Sequence, residues 1–84
     1  MSKHEKLLNR LLTVPTDFTF PEMEALLNGF GYRPAKTGKS TGSAVCFIHD
    51  HHKPVMFHQP HPGNEVKRYV IRDLIEQLKS EGLI

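Results

Sequence analysis

The chain is poor in cross-links, in long apolar runs and in net charge. Its 84 residues include a single cysteine, so no intrachain disulfide can form. That thiol, Cys46, sits in an apolar run, which points to a reduced intracellular setting rather than a secreted scaffold. No apolar stretch approaches the roughly 20 residues that cross a bilayer, and Met1-Ser2-Lys3-His4-Glu5 is not followed by the apolar core of a signal peptide. The expected compartment is the cytoplasm, with no membrane association. Eleven Lys and Arg against nine Asp and Glu leave a net charge of +2 with histidine neutral, too little to establish a polyanion partner from the total. The distribution of charge has to carry that argument. At this length one domain with one modest core is expected over residues 1–84, with a helical extension over 1–18 and the core over 19–84.

Leu7, Leu8, Leu11 and Leu12 recur at helical spacing between about Lys3 and Thr13. Pro15 closes that helix, because Val14 before a proline is pushed out of the helical region. Thr19 and Glu22 have the spacing of a capping box, with Phe18 placed to staple onto Met23. Behind them Met23, Leu26, Leu27 and Phe30 form one stripe, which Gly31 stops. Tyr32 to Lys36 reads as an edge strand, since Pro34 lacks the amide a central strand needs. After the polar loop Thr37–Gly42 come two strands, Ser43–His49 and Val55–His58, joined by a polar turn. In the first of these Val45 and Phe47 share one face and Ala44, Cys46 and Ile48 the other, so both faces call for cover.

A last helix is expected from about Glu65 to Lys79, capped by Asn64, burying Val66, Val70, Ile71, Leu74, Ile75 and Leu78 and turning Arg68, Arg72, Glu76 and Lys79 outward. The order of elements predicts an α+β fold: a three-stranded antiparallel sheet carrying the second and last helices on one face. From the second helix onward this is the αβββα order of double-stranded-RNA-binding domains, to which the N-terminal helix is an addition. Leu26, Leu27, Phe30, Phe47, Phe57, Ile71, Leu74, Ile75 and Leu78 are the core this arrangement predicts.

The candidate chemistry gathers where Pro60-His61-Pro62-Gly63-Asn64 runs into the last helix. The first turn of a helix leaves backbone N–H groups unsatisfied and carries partial positive charge, so phosphates are favoured there. Lys67, Arg68 and Arg72 on the helix, with Lys36 and Lys39 from the loop region, predict a discontinuous basic patch for an RNA backbone, giving affinity with little sequence reading. The competing bland reading pairs Arg72 with Glu76 at helical spacing and leaves the lysines as ordinary solvated surface. His49-Asp50-His51-His52 has metal-ligand residue types, but neighbouring positions on a tight turn diverge instead of converging on one ion; no metal or other cofactor is expected. Gly38-Lys39-Ser40 matches the end of a phosphate-binding loop, but Arg33 stands where its first glycine belongs and no strand-to-helix context surrounds it.

Three motifs follow in order between about Pro21 and Leu78: a helix ending Gly29-Phe30-Gly31-Tyr32, the pair Gly42-Ser43 opening the middle strand, and His61-Pro62-Gly63-Asn64-Glu65-Val66-Lys67-Arg68 entering the last helix. In that order and spacing the run resembles the HicA family of toxins from bacterial toxin-antitoxin pairs. The resemblance implies a double-stranded-RNA-binding-domain-like fold, an endonuclease acting on mRNA, and a HicB-like antitoxin as partner. It also implies a catalytic histidine directly after the Gly-Ser pair, where this chain has Ala44, which can neither take nor give a proton. Tyr69 is a second departure, at a position where many relatives have glycine.

Metal-independent RNA cleavage needs a group that takes the ribose 2′-hydroxyl proton and donors that stabilise the crowded phosphorane. Histidine suits the first role. His61 is the best-placed remaining imidazole, with His58 next; the bland reading leaves His61 as a solvated turn residue. Three explanations stand open: a divergent toxin using another base, a protein that binds RNA without cutting it, or a toxin whose active imidazole was replaced. Beyond the toxin reading, the functional classes are a non-catalytic RNA-binding module and an interaction protein that docks a partner on its second sheet face.

Overall fold

The computed structural model describes residues 2–35, 44–58 and 63–84. Three helices and three strands follow in the order α1 Lys3–Leu12, α2 Phe20–Gly29, β1 Arg33–Pro34, β2 Ala44–Ile48, β3 Val55–His58 and α3 Arg68–Ser80. The strands form one antiparallel sheet, ordered β1-β2-β3. This is the α+β arrangement the sequence predicts, with the N-terminal helix present. α1 packs against α2 and α3.

The start of α2 is built locally. The Thr19 hydroxyl accepts from the Glu22 N–H and the Glu22 carboxylate accepts from the Thr19 N–H, a reciprocal capping box. Glu22 then does a second job: Arg10 of α1 donates to its other oxygen and also bridges to Asp17 at 2.9 Å, while the guanidinium lies 5.3 Å from the centre of the Phe18 ring. One carboxylate therefore ties the cap of α2 to the flank of α1. Val14, in the connection between them, has φ of 50°, a left-handed conformation rarely taken by a β-branched residue; its carbonyl accepts from Arg68 Nε at 3.2 Å, which fastens this turn to the entrance of α3. At the other end of α2, Gly31 takes φ of 99°, the left-handed stop its sequence position predicts.

Burial raises the pKa of the Glu22 carboxyl, but the Thr19 amide and the Arg10 guanidinium outweigh it and hold the group below the ordinary carboxylate range. The folded pKa being the lower one, this carboxylate adds stability that is fully present above the unfolded value of about 4.3 and is lost as pH falls through the folded value. Glu22→Gln is expected to flatten part of the acid side of the stability profile. Thermal midpoints across pH 3 to 7 check this: a variant whose midpoint falls with acid as steeply as the parent's removes Glu22 from the account.

One apolar cluster fills the molecule: Leu11, Phe18, Met23, Leu26, Leu27, Tyr32, Phe47, Val55, Val66, Ile71, Leu74 and Leu78 are buried. Of the residues the sequence pattern expects to be buried, Phe30, Phe57, Val70 and Ile75 are only half-buried at its margin. Register pairs Val45 with Phe57 and Phe47 with Val55, so these four share the face under the helices. Phe20 of α2 meets Phe57 with ring centres 5.9 Å apart, and Gln77 of α3 donates to the carbonyls of Lys53 and Pro54 at 3.2 and 3.0 Å. The opposite face, expected to need cover, is open at Met56, which is 70% exposed.

The last helix begins later than its sequence suggests. α3 starts at Arg68 with Lys67 as N-cap, and Asn64 does not cap it. Asn64 instead gives its carbonyl to the Phe20 N–H, and the Val66 N–H donates to the Phe18 carbonyl, both at 2.6 Å. Thr19 and Glu65 thus form an antiparallel bridge. A segment whose backbone groups are committed to extended pairing cannot curl into a helical turn, so Glu65 and Val66 are lost to the helix while Val66 stays buried. β1 starts at Arg33 and not at the Tyr32 its sequence predicts, because the Tyr32 N–H is taken by the Leu27 carbonyl at the end of α2; its expected end, Lys36, lies outside the described residues.

Candidate nucleic-acid interface

α3 opens without a protein anion. Its N-cap, Lys67, makes no side-chain hydrogen bond to the first turn, and that turn contains no acidic residue. The N–H groups and partial positive charge of this helix end are therefore not neutralised by a local carboxylate, and Lys67 and Arg68 add full charges to them. Lys67, Arg68 and Arg72 are all exposed. Among the described residues Arg68 is held by the Val14 carbonyl through Nε, which orients the guanidinium and leaves its two terminal nitrogens without a partner there. Arg72 and Glu76, spaced to pair, form no ion pair. Three of the predicted basic residues thus converge on one end of α3; Lys36, Lys39 and the catalytic candidate His61 lie outside the described residues, as does Gly38-Lys39-Ser40.

Strand pairing brings one imidazole close to the position where the resemblance calls for a histidine. The Cα register partner of Ala44 is His58. His58 is exposed and alternates with buried Val55 and half-buried Phe57, which puts it on the open sheet face with Met56.

Two histidine rings of the turn after β2, His49 and His52, are held by hydrogen bonds. His49 Nδ1 accepts from the His51 N–H at 2.9 Å, which leaves the proton on Nε2 to be donated to the Phe30 carbonyl at 3.0 Å. His52 Nδ1 lies 3.1 Å from Glu81 Oε1, which also accepts from the Lys53 N–H at 3.2 Å. These contacts clamp the turn between the ends of α2 and α3. Among the described residues no group of three or more His, Cys, Asp or Glu is arranged to hold a metal ion, and no helix is long and apolar enough to cross a membrane.

Tyr69 has a setting that its place in the sequence does not announce. Its side chain is 55% exposed on α3 and lines a groove with β3. Helical spacing places it beside Arg72, but only the tertiary structure brings it opposite Met56 and His58.

Comparison with protein-family models matches residues 20–79 to a family described as HicA toxin of bacterial toxin-antitoxin. No curated protein and no solved structure matches the chain. The matched span runs from the first residue of α2 through α3, so α1 lies outside it.

Proposed function

The chain belongs to the HicA toxin family of bacterial toxin-antitoxin systems, and from that premise we propose that it binds and cleaves mRNA and is neutralised by a HicB-like antitoxin. The observation that supports RNA as the ligand is the uncapped, cation-flanked start of α3, with Lys67, Arg68 and Arg72 exposed around it. Phosphates meet these groups, and Lys36 and Lys39, outside the described residues, are the further cations this reading assigns to the RNA backbone. Cleavage follows from proton transfer. His61 takes the 2′-hydroxyl proton, the freed oxygen attacks phosphorus, and the bond to the 5′-oxygen breaks to leave a 2′,3′-cyclic phosphate and a 5′-oxygen that takes a proton from water, while cations and helix amides stabilise the charge that builds on the phosphorane. An antitoxin covering this end of α3, or the open sheet face at Met56, neutralises the toxin by occlusion.

A second reading, RNA binding without cleavage, is favoured by one residue. Ala44 offers no proton-transfer group at the position where the family resemblance calls for histidine.

Replacing Lys67 and Arg68 together with alanine tests the binding site. Loss of two phosphate contacts on a single strand is expected to make the slope of log K against log salt shallower by about 1.4, together with weaker binding at low salt. Fluorescence anisotropy over a salt series measures both. Unchanged affinity and slope would place the RNA elsewhere on the surface.

A further inference from the structure

The two most exposed large apolar side chains among the described residues, Met56 at 70% and Tyr69 at 55%, line the same groove. It lies between β3 and α3, encloses about 200 Å³, and has Val55 and Leu74 in its walls. Its polar lining is His58, Asp73 and Gln77. Asp73 has no ion pair or side-chain hydrogen bond with the described residues. Gln77 donates from its side-chain amide to the Lys53 and Pro54 carbonyls. The groove therefore combines the exposed Tyr69 ring with the Asp73 carboxylate one turn further along α3.

We propose that this groove is a pocket for one unpaired nucleobase, guanine in preference to uracil, a reading that rests on RNA being the ligand. A phosphate is repelled by Asp73, so the groove is not an extension of the basic patch. A base carries no charge and has a flat face for the phenol ring, the interaction by which proteins hold single-stranded nucleic acid. The volume is below the 300 Å³ or so of ordinary ligand pockets and suits a single planar heterocycle. A carboxylate accepts from adjacent donors: guanine presents an N1–H and an amino group side by side, whereas uracil presents one N–H. Arg72 stands one helical turn from Tyr69, on the neighbouring ridge of α3, so the phosphates flanking the base lie over Arg68 and Arg72 while the base turns inward. A base in a duplex has both faces stacked and its Watson–Crick edge occupied; the pocket selects unpaired RNA.

The test measures binding of labelled hexauridylate, hexauridylate with one central guanosine, and a duplex of equal length to the parent chain and to Tyr69→Ala, Tyr69→Phe and Asp73→Asn, at fixed salt and over a salt series. Tyr69→Ala is expected to weaken the guanosine-containing strand about tenfold with an unchanged salt slope. Tyr69→Phe, which keeps the ring, is expected to stay within about twofold of the parent. Asp73→Asn is expected to erase the preference for guanosine over uridine, and none of the three should change duplex binding. Tyr69 is exposed, so thermal midpoints should stay at the parent value. If Tyr69→Ala binds as the parent does while the Lys67→Ala, Arg68→Ala double variant is weakened, the pocket is refuted and RNA binding stands. A parent that binds none of the three probes overturns both. If Tyr69→Ala and Met56→Ala bind RNA normally yet fail to co-purify with a coexpressed antitoxin, the groove belongs to a protein segment paired with the free edge of β3 and the nucleobase assignment is wrong.

Discussion

Phe18→Ala is expected to cost about 3–5 kcal/mol, the range for emptying a buried aromatic site. The ring is fully buried, so its removal opens a cavity in the core. Its backbone carbonyl accepts the Val66 N–H and Arg10 lies over its face, so the residue holds the entrance of α3, the flank of α1 and the start of α2 in one place. At roughly 0.05–0.15 kcal/mol per residue, a chain of this length has a total stability of about 4–13 kcal/mol; one truncation therefore removes a large part of it. A urea titration should show a much lower midpoint with an unchanged slope. Met56→Ala on the open sheet face is the matched control and should stay within about 0.5 kcal/mol of the parent. If both variants unfold at the parent midpoint, the core is not organised around Phe18.

Phe18 also shows where sequence reasoning reaches its limit. The capping box, the stripe of α2 and the glycine stop are set by residues within a turn or two of one another, and each is legible because local geometry decides it. Phe18 belongs to a connection with no periodicity, so its spacing marks it as a staple for Met23 but not as the residue on which three helices meet. The same long-range pairing misleads the reading of α3. Asn64 has the chemistry of an N-cap and Glu65 of a first turn, but the backbone of Phe18 and Phe20 claims those groups first. The charged side of the site survives that shift, because Lys67, Arg68 and Arg72 keep their place at the helix entrance wherever the first turn begins. The groove beside Tyr69 was not legible, since nothing in the local sequence says that β3 lies along that flank of α3. The histidine turn was legible as a turn, while the roles of His49 and His52 depend on carbonyl and carboxylate partners supplied by α2 and by the end of α3.

If cleavage depends on His61, His61→Ala should lower it by about 10²- to 10⁴-fold, the usual contribution of a positioned general base, with RNA affinity unchanged because the phosphate contacts are untouched. Single-turnover cleavage of a labelled RNA beside a binding titration separates the two effects. Ala44→His asks the complementary question. β2 begins at Ala44, and its register partner on β3 is His58, so a restored imidazole would enter a strand pair that already carries one. A parent that binds RNA without cutting it, beside an Ala44→His variant that cuts, identifies the chain as an inactive toxin on an intact binding scaffold. A parent that cuts and loses activity in His61→Ala is a divergent nuclease whose base is His61 in place of a residue at position 44. Cleavage that survives His61→Ala and disappears in His58→Ala transfers the role to the strand pair, where the imidazole of β3 stands next to the position from which the histidine is missing.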